Sequence, residues 1–236
     1  MMALLPVSPV VQAGVLLVLL APCTDWFISF TQLGKGDAGR AVAAAPLLLL
    51  TQLLVLPVYL GLFLGAEWLQ AAISTDLLGA FAGLILAPLA LAWVTERLAE
   101  RSPKARRWIQ GLGVLPTPLL ALVVFVVAVS QVNTVAGLSA VMLQVLLIFI
   151  AYLVFAAFLG KALGGAFQLP ARSARTLAFS FGTRNSFVVL PIALALPEPW
   201  QAAVVVVVFQ SLVELFGTVA YLKWVPGKLI PGPSPP

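Results

Sequence analysis

Two apolar runs, each long enough to cross a bilayer, are interrupted part-way by polar, helix-breaking residues. The first break is Ala21-Pro22-Cys23-Thr24-Asp25 and the second is Phe181-Gly182-Thr183-Arg184-Asn185-Ser186. Backbone that leaves the helix at membrane depth is tolerated only where it is buried in protein or lines a cavity. An ionisable residue at that depth marks a functional site by default. One break carries Asp25 and the other Arg184. Interrupted spans of this kind point to a transporter.

Composition makes the bilayer unavoidable. The 236 residues are 62% hydrophobic and 9% charged, with a mean hydropathy of +1.10. A soluble fold could not hide so much apolar surface. There is no His, which excludes imidazole chemistry, and the lone Cys23 excludes an internal disulfide or a multi-thiolate metal site. The net charge of +5 does not imply nucleic acid, because the basic residues sit at span ends, where topology accounts for them. Neither cofactor nor metal is expected.

Hydropathy predicts an all-α integral membrane protein of about seven spans, at roughly 9–34, 41–64, 73–96, 109–131, 134–160, 174–196 and 201–223. These form a transporter domain over 1–223, followed by a Pro-rich tail over 224–236, whose stretch Pro226–Pro236 is expected to be disordered. Lys35 and Arg40 follow the first span; Arg97, Arg101, Lys104, Arg106 and Arg107 follow the third. Lys161, Arg172 and Arg175 follow the fifth, and Lys223 and Lys228 the seventh. Twelve of the thirteen basic residues thus fall on one face, which the positive-inside rule makes cytoplasmic. The expected location is the cell (inner) membrane, with the C-terminus cytoplasmic. Residues 1–20 lack a basic n-region and a cleavage motif, so no signal peptide is expected. The odd span count suggests that preceding helices are absent from this chain.

The two interrupted spans also match each other. Thr24-Asp25 precedes Thr51-Gln52 by 27 residues, and Thr183-Arg184 precedes Phe209-Gln210 by 26. Each segment runs from a broken helix, through a Pro/Gly turn with an acid (Asp37, Glu198), into a span with a mid-membrane Gln and a later Tyr (Tyr59, Tyr221). The first span runs outside to inside and the sixth the reverse, so the copies form an inverted repeat. Inverted repeats with discontinuous helices crossing at the midplane build secondary transporters, with the substrate where the breaks meet.

Candidate site residues follow from that crossing. Asp25 and Arg184 occupy equivalent positions and are expected to pair, either as a static pin or as a charge switch with Asp25 carrying a proton or cation. Thr24, Thr183, Asn185 and Ser186 supply neutral donors and acceptors, though Ser and Thr in membrane helices often bond only their own backbone. Gln52 and Gln210 are expected to bond to the breaks, as ligands or as plain interhelical ties. Cys23 is either a small apolar residue or a thiol facing the cavity, open to a thiophilic solute. Gly34-Lys35-Gly36-Asp37 superficially matches the Gly-x-Gly-Asp of intramembrane aspartyl proteases. Asp37, however, lies at the membrane boundary beside Lys35, and there is no Gly-x-Ser-x-Gly elbow. The chain is therefore not expected to be an enzyme.

Leu20-Ala21-Pro22-Cys23-Thr24 with Leu33-Gly34-Lys35-Gly36-Asp37 resembles the fourth span of the arsenite-efflux permease branch of the bile acid:sodium symporter superfamily. Arg175-Thr176-Leu177 through Asn185-Ser186-Phe187 and Ala193-Leu194-Ala195 is similar to that superfamily's ninth span. The resemblance covers most of the chain. It implies ten spans in two inverted five-helix repeats, with a core and a panel domain and with spans four and nine crossing. The seven spans then correspond to four to ten: 9–64 to the end of the first repeat and 73–223 to the second, with the first three spans lacking. It also implies a role in arsenite transport for Cys23. The family's paired Asn followed by Phe-Glu departs here to Asn185-Ser186-Phe187-Val188. That leaves Asp25 as a substitute for the missing acid. Ser180 and Arg184 align with the Glu and Gln that help bind sodium in the bile acid branch. An Arg there would repel the ion, which favours proton over sodium coupling. The expectation is a proton-coupled exporter of arsenite or a related metalloid oxyanion. An organic-anion carrier of the same fold is the alternative, and a non-transporting fragment or subunit that needs the lacking helices is a third.

Overall fold

The computed structural model describes residues 8–24, 26–64, 87–112, 139–194 and 202–232, with isolated positions 83, 119, 122, 125, 126, 129, 196 and 200 besides. The described elements are helical: α1 (Pro9–Leu19), α2 (Trp26–Leu33), α3 (Ala38–Leu64), α4 (Ala87–Arg101), α5 (Pro103–Leu112), α6 (Ser139–Ala166), α7 (Ala171–Gly182), α8 (Ser186–Leu194) and α9 (Ala202–Trp224). Two described segments, Val141–Ala166 and Ala202–Leu229, are long and apolar enough to span a membrane. Their outward faces carry Leu143, Leu147, Phe155, Phe158 and Phe216, all exposed. Such a surface is stable only against lipid or another apolar partner. The expected spans over 73–96 and 109–131 fall largely outside the described residues.

Both expected breaks are real. Pro22 cannot donate to a helix and disfavours the helical conformation at Ala21, so α1 stops and α2 restarts at Trp26. At the second break Thr183 adopts extended backbone at φ −107° and ψ 143°, ending α7. The sequence then re-enters helix at Ser186 because Asn185 caps it: Val188 N–H donates to Asn185 Oδ1 over 3.2 Å.

One end of the assembly is tied by a polar clamp. The turn after α2 places Lys35 at φ 58°, between two glycines held close to their neighbours. A Cβ at Gly34 would lie 2.2 Å from the Phe179 ring, and one at Gly36 would lie 2.6 Å from Thr31. From α7, Arg175 donates through Nη1 to Lys35 O (3.1 Å), through Nε to Ile230 O (2.9 Å) and through Nη2 to Gly232 O (3.2 Å). Asp37 N–H donates to Thr176 Oγ1 over 2.8 Å, and Arg40 Nη1 donates to Ser173 Oγ over 2.9 Å. The start of α7 is thereby fastened to the α2–α3 turn.

Two expectations need correction here. The segment Pro226–Pro236 is not disordered throughout: Val225–Leu229 forms a π-helical turn, and Leu229 and Ile230 are buried. The carbonyls that Arg175 binds hold it in place. The polar connection expected over Glu100–Lys104 is helical on both sides, with Ser102 alone between α4 and α5, because Pro103 suits the first turn of a helix.

Among the described helices, α6 packs tightly against α7, and small residues make it possible. Gly160 and Gly164 of α6 face Ala178 and Ala174 of α7, and a Cβ at Gly160 would lie 2.5 Å from Ala178 Cα. Small residues four apart let membrane helices approach closely where no hydrophobic force drives them together. Gly165, beside them, faces open space. Gly160→Ala is expected to lower stability by about 1–3 kcal/mol through overpacking, whereas Gly165→Ala is expected to raise it by up to about 1 kcal/mol through helix propensity. Thermal unfolding in detergent would resolve the opposite signs.

Candidate functional site

The two breaks meet, and they bond to each other. Pro22 and Arg184 form an antiparallel bridge, and Asn185 N–H donates to Ala21 O over 2.8 Å. Asn185 Nδ2 donates to Thr24 Oγ1 over 3.1 Å. A backbone carbonyl and amide freed by the breaks at membrane depth thus satisfy one another, as an apolar surrounding demands. Four half-helices end at this point: the C-terminal carbonyls of α1 and α7, and the N-termini of α2 and α8. Helix N-termini favour anions and C-termini favour cations.

Arg184 is half-buried at the centre. Its Nη2 donates to Phe181 O over 2.6 Å, placing a cation on the C-terminal end of α7. Its guanidinium lies 4.9 Å from the centroid of the Tyr152 ring, and Tyr152 Oη donates to the same Phe181 carbonyl over 2.8 Å. The guanidinium Nε is buried and has no hydrogen-bond partner among the described residues.

The acid at the crossing is Glu214 of α9, which the sequence reading did not single out. Arg184 N–H donates to Glu214 Oε2 over 2.7 Å, and Gln210 Nε2 donates to the same oxygen over 2.6 Å. Ser186 Oγ donates to Gln210 Oε1. A signal was available: Glu214 is an acid inside an apolar span, one helical turn beyond Gln210.

The expected site residues divide by what they touch. Thr24, Arg184, Asn185, Ser186 and Gln210 are brought together. Thr183 is fully buried, and its hydroxyl donates to Phe179 O over 2.8 Å, one turn back on its own helix. Ser180 lies half-buried in the last turn of α7. Cys23 is 1% exposed and packs with Phe27 and Ala41. Gln52 is 3% exposed, and neither polar atom of its carboxamide has a partner among the described residues. The expected bond from Gln52 to the first break is therefore not among those the described residues make. Asp25, and with it the pairing to Arg184, lies outside the described residues. Among the described residues no cluster of His, Cys, Asp or Glu could hold a metal.

Long apolar helices, with interrupted spans joined at their breaks around buried charge, define the class of the protein as a membrane transporter. The chain belongs to the sodium bile acid symporter family, whose profile matches residues 1–162. That match covers α1 to α5 and most of α6, so the crossing joins the matched segment to the helices that follow it. No curated protein matches the chain.

The Glu214 carboxylate is the acceptor on which the second break rests. Glu214→Ala leaves the Arg184 amide and the Gln210 side chain buried without that acceptor, and is expected to cost about 1–3 kcal/mol. Glu214→Gln keeps an acceptor oxygen and is expected to cost less. Thermal unfolding of the two variants in detergent orders them.

Proposed function

We propose that this protein is a secondary carrier that binds a small anion at the crossing, beside Arg184, and exchanges it for protons. The observation that carries this reading is the juxtaposition of a half-buried guanidinium with the Glu214 carboxylate at the junction of two broken helices. The N-termini of α2 and α8 add donors of the sign an anion needs. The family's description names sodium and bile acid, which supports an organic anion as the substrate class. The chain acts as a carrier and not as an enzyme.

Glu214 gives the exchange a mechanism. As a carboxylate, its Oε2 accepts from both the Arg184 backbone and Gln210. Protonation turns one carboxyl oxygen into a donor and removes the charge facing Arg184, so the pairing across the second break has to change. An anion arriving at Arg184 and a proton arriving at Glu214 would then use one network. Arg184 stands where the family resemblance puts a sodium-binding Gln, which favours protons.

The inverted repeat expected from the sequence would fit the same reading. The described helices α1, α2, α3 and α7, α8, α9 each run half-helix, half-helix, long helix, and Gln52 and Gln210 are each 3% exposed. The basic face lies in the cytoplasm of a cell with this protein in its inner membrane.

A second reading, export of arsenite, is favoured by Cys23, which lies at the first break. Proteoliposome uptake under an imposed pH gradient distinguishes the two. For an organic-anion carrier, Arg184→Gln is expected to reduce uptake at least about tenfold, the loss of a buried charged contact, while Cys23→Ala retains it. Glu214→Gln is expected to abolish the response to the pH gradient while leaving substrate binding in place. Arsenite uptake that disappears in Cys23→Ala would establish the metalloid instead. A pH response that survives in Glu214→Gln would remove the proposed proton carrier.

A further inference from the structure

The basic segment after α4 does more than set topology. α4 changes character along its length: Ala87–Val94 is apolar, and Thr95 to Arg101 is polar and charged. Leu91, Trp93 and Val94 are exposed in the first part, which suits lipid, and the second part carries the helix out of it. At the transition the Arg97 guanidinium lies 4.7 Å from the centroid of the Trp93 ring. Tryptophan with a cation beside it is the pairing that settles at the headgroup level.

Ser102 separates α4 from α5, and α5 is amphipathic. At about 100° per residue, Lys104, Arg106 and Arg107 fall within one half of the helix, while Ile109 lies in the other half and Trp108 at its edge, one turn after Lys104. The three cations are exposed, and Trp108 is 75% exposed. With Arg97 and Arg101, also exposed, five cations lie within eleven residues and face two carboxylates, Glu96 and Glu100. A helix with a basic face and a large aromatic bordering it on the apolar side, starting where its predecessor leaves the apolar layer, has the composition of an interfacial helix.

We propose that α5 lies in the plane of the membrane surface, with Trp108 among the acyl chains, and that Lys104, Arg106 and Arg107, together with Arg97 and Arg101, bind the headgroups of anionic phospholipids. Charge complementarity selects the anionic lipid over a zwitterionic one. The inserted tryptophan selects a lipid surface over a soluble anion, which could meet the cations but would leave the indole in water.

Quenching of Trp108 tests this on the full chain in vesicles containing equal parts of phosphatidylcholine and phosphatidylglycerol, with one or the other lipid brominated. The difference between the wild type and Trp108→Phe isolates this tryptophan among the six. The expected result is quenching at least about threefold stronger by brominated phosphatidylglycerol than by brominated phosphatidylcholine at low salt. High salt is expected to remove that preference, and so is the triple variant K104Q/R106Q/R107Q. The exposed positions of these three side chains make the variant compatible with folding. Absence of quenching by either lipid, equal quenching by both in the wild type, or a preference that survives the triple variant would each overturn the proposal.

Discussion

Everything else in this structure depends on one constraint: backbone that stops being helical inside an apolar layer still has to find hydrogen-bond partners. Pro22 ends one helix and extended backbone at Thr183 ends another, exposing amides and carbonyls that lipid cannot satisfy. The answer is reciprocal. The breaks are placed against each other, so that Ala21 O receives Asn185 N–H and Thr24 receives the Asn185 side chain. What the first break does not satisfy in the second, Glu214 and Gln210 of α9 do. The crossing is therefore both a structural joint and a place where polar groups gather at membrane depth.

The joint is held differently at its surroundings. At one end Arg175, Thr176 and Ser173 fasten α7 to the α2–α3 turn, and Arg175 also holds the segment after α9. Along the length of α7, Gly160 and Gly164 let α6 come close. These contacts are directional or sterically exacting, and they fix α7 firmly. The network around Arg184 and Glu214, in contrast, is where the proposed anion and proton would change the bonding. A rigid frame around a switchable centre is what a carrier needs, since movement must be coupled to occupancy of the site.

Much of this was readable in advance, for reasons that particular residues make plain. Pro22 and the run Gly182-Thr183-Arg184-Asn185 announce helix ends because their backbone chemistry is local. Arg184, Asn185, Ser186 and Gln210 announce a polar cluster because polar groups in apolar runs are costly. Glu214 obeys the same rule, but it lies in the span beside the breaks, where no helix-breaking residue marks it out. Thr183 illustrates the opposite error of weight, since its hydroxyl serves only its own helix. Cys23 looked like a cavity-facing thiol or a small apolar residue, and it packs between Phe27 and Ala41.

Local chemistry, then, settles that the chain lives in a membrane, where two of its spans break, and which side chains are too polar to be idle. Partnership is a different matter. Asn185 meets Thr24 across 161 positions of sequence, Asp37 meets Thr176 across 139, and Arg175 reaches Ile230 across 55. Pairings of that kind depend on how rigid helices are packed and rotated against one another, and no window of sequence contains that information. For the same reason a tail rich in Pro and Gly reads as disordered, until two hydrogen bonds of Arg175 are seen to need it: a buried arginine must find carbonyls, and folding brings those of Ile230 and Gly232 to it.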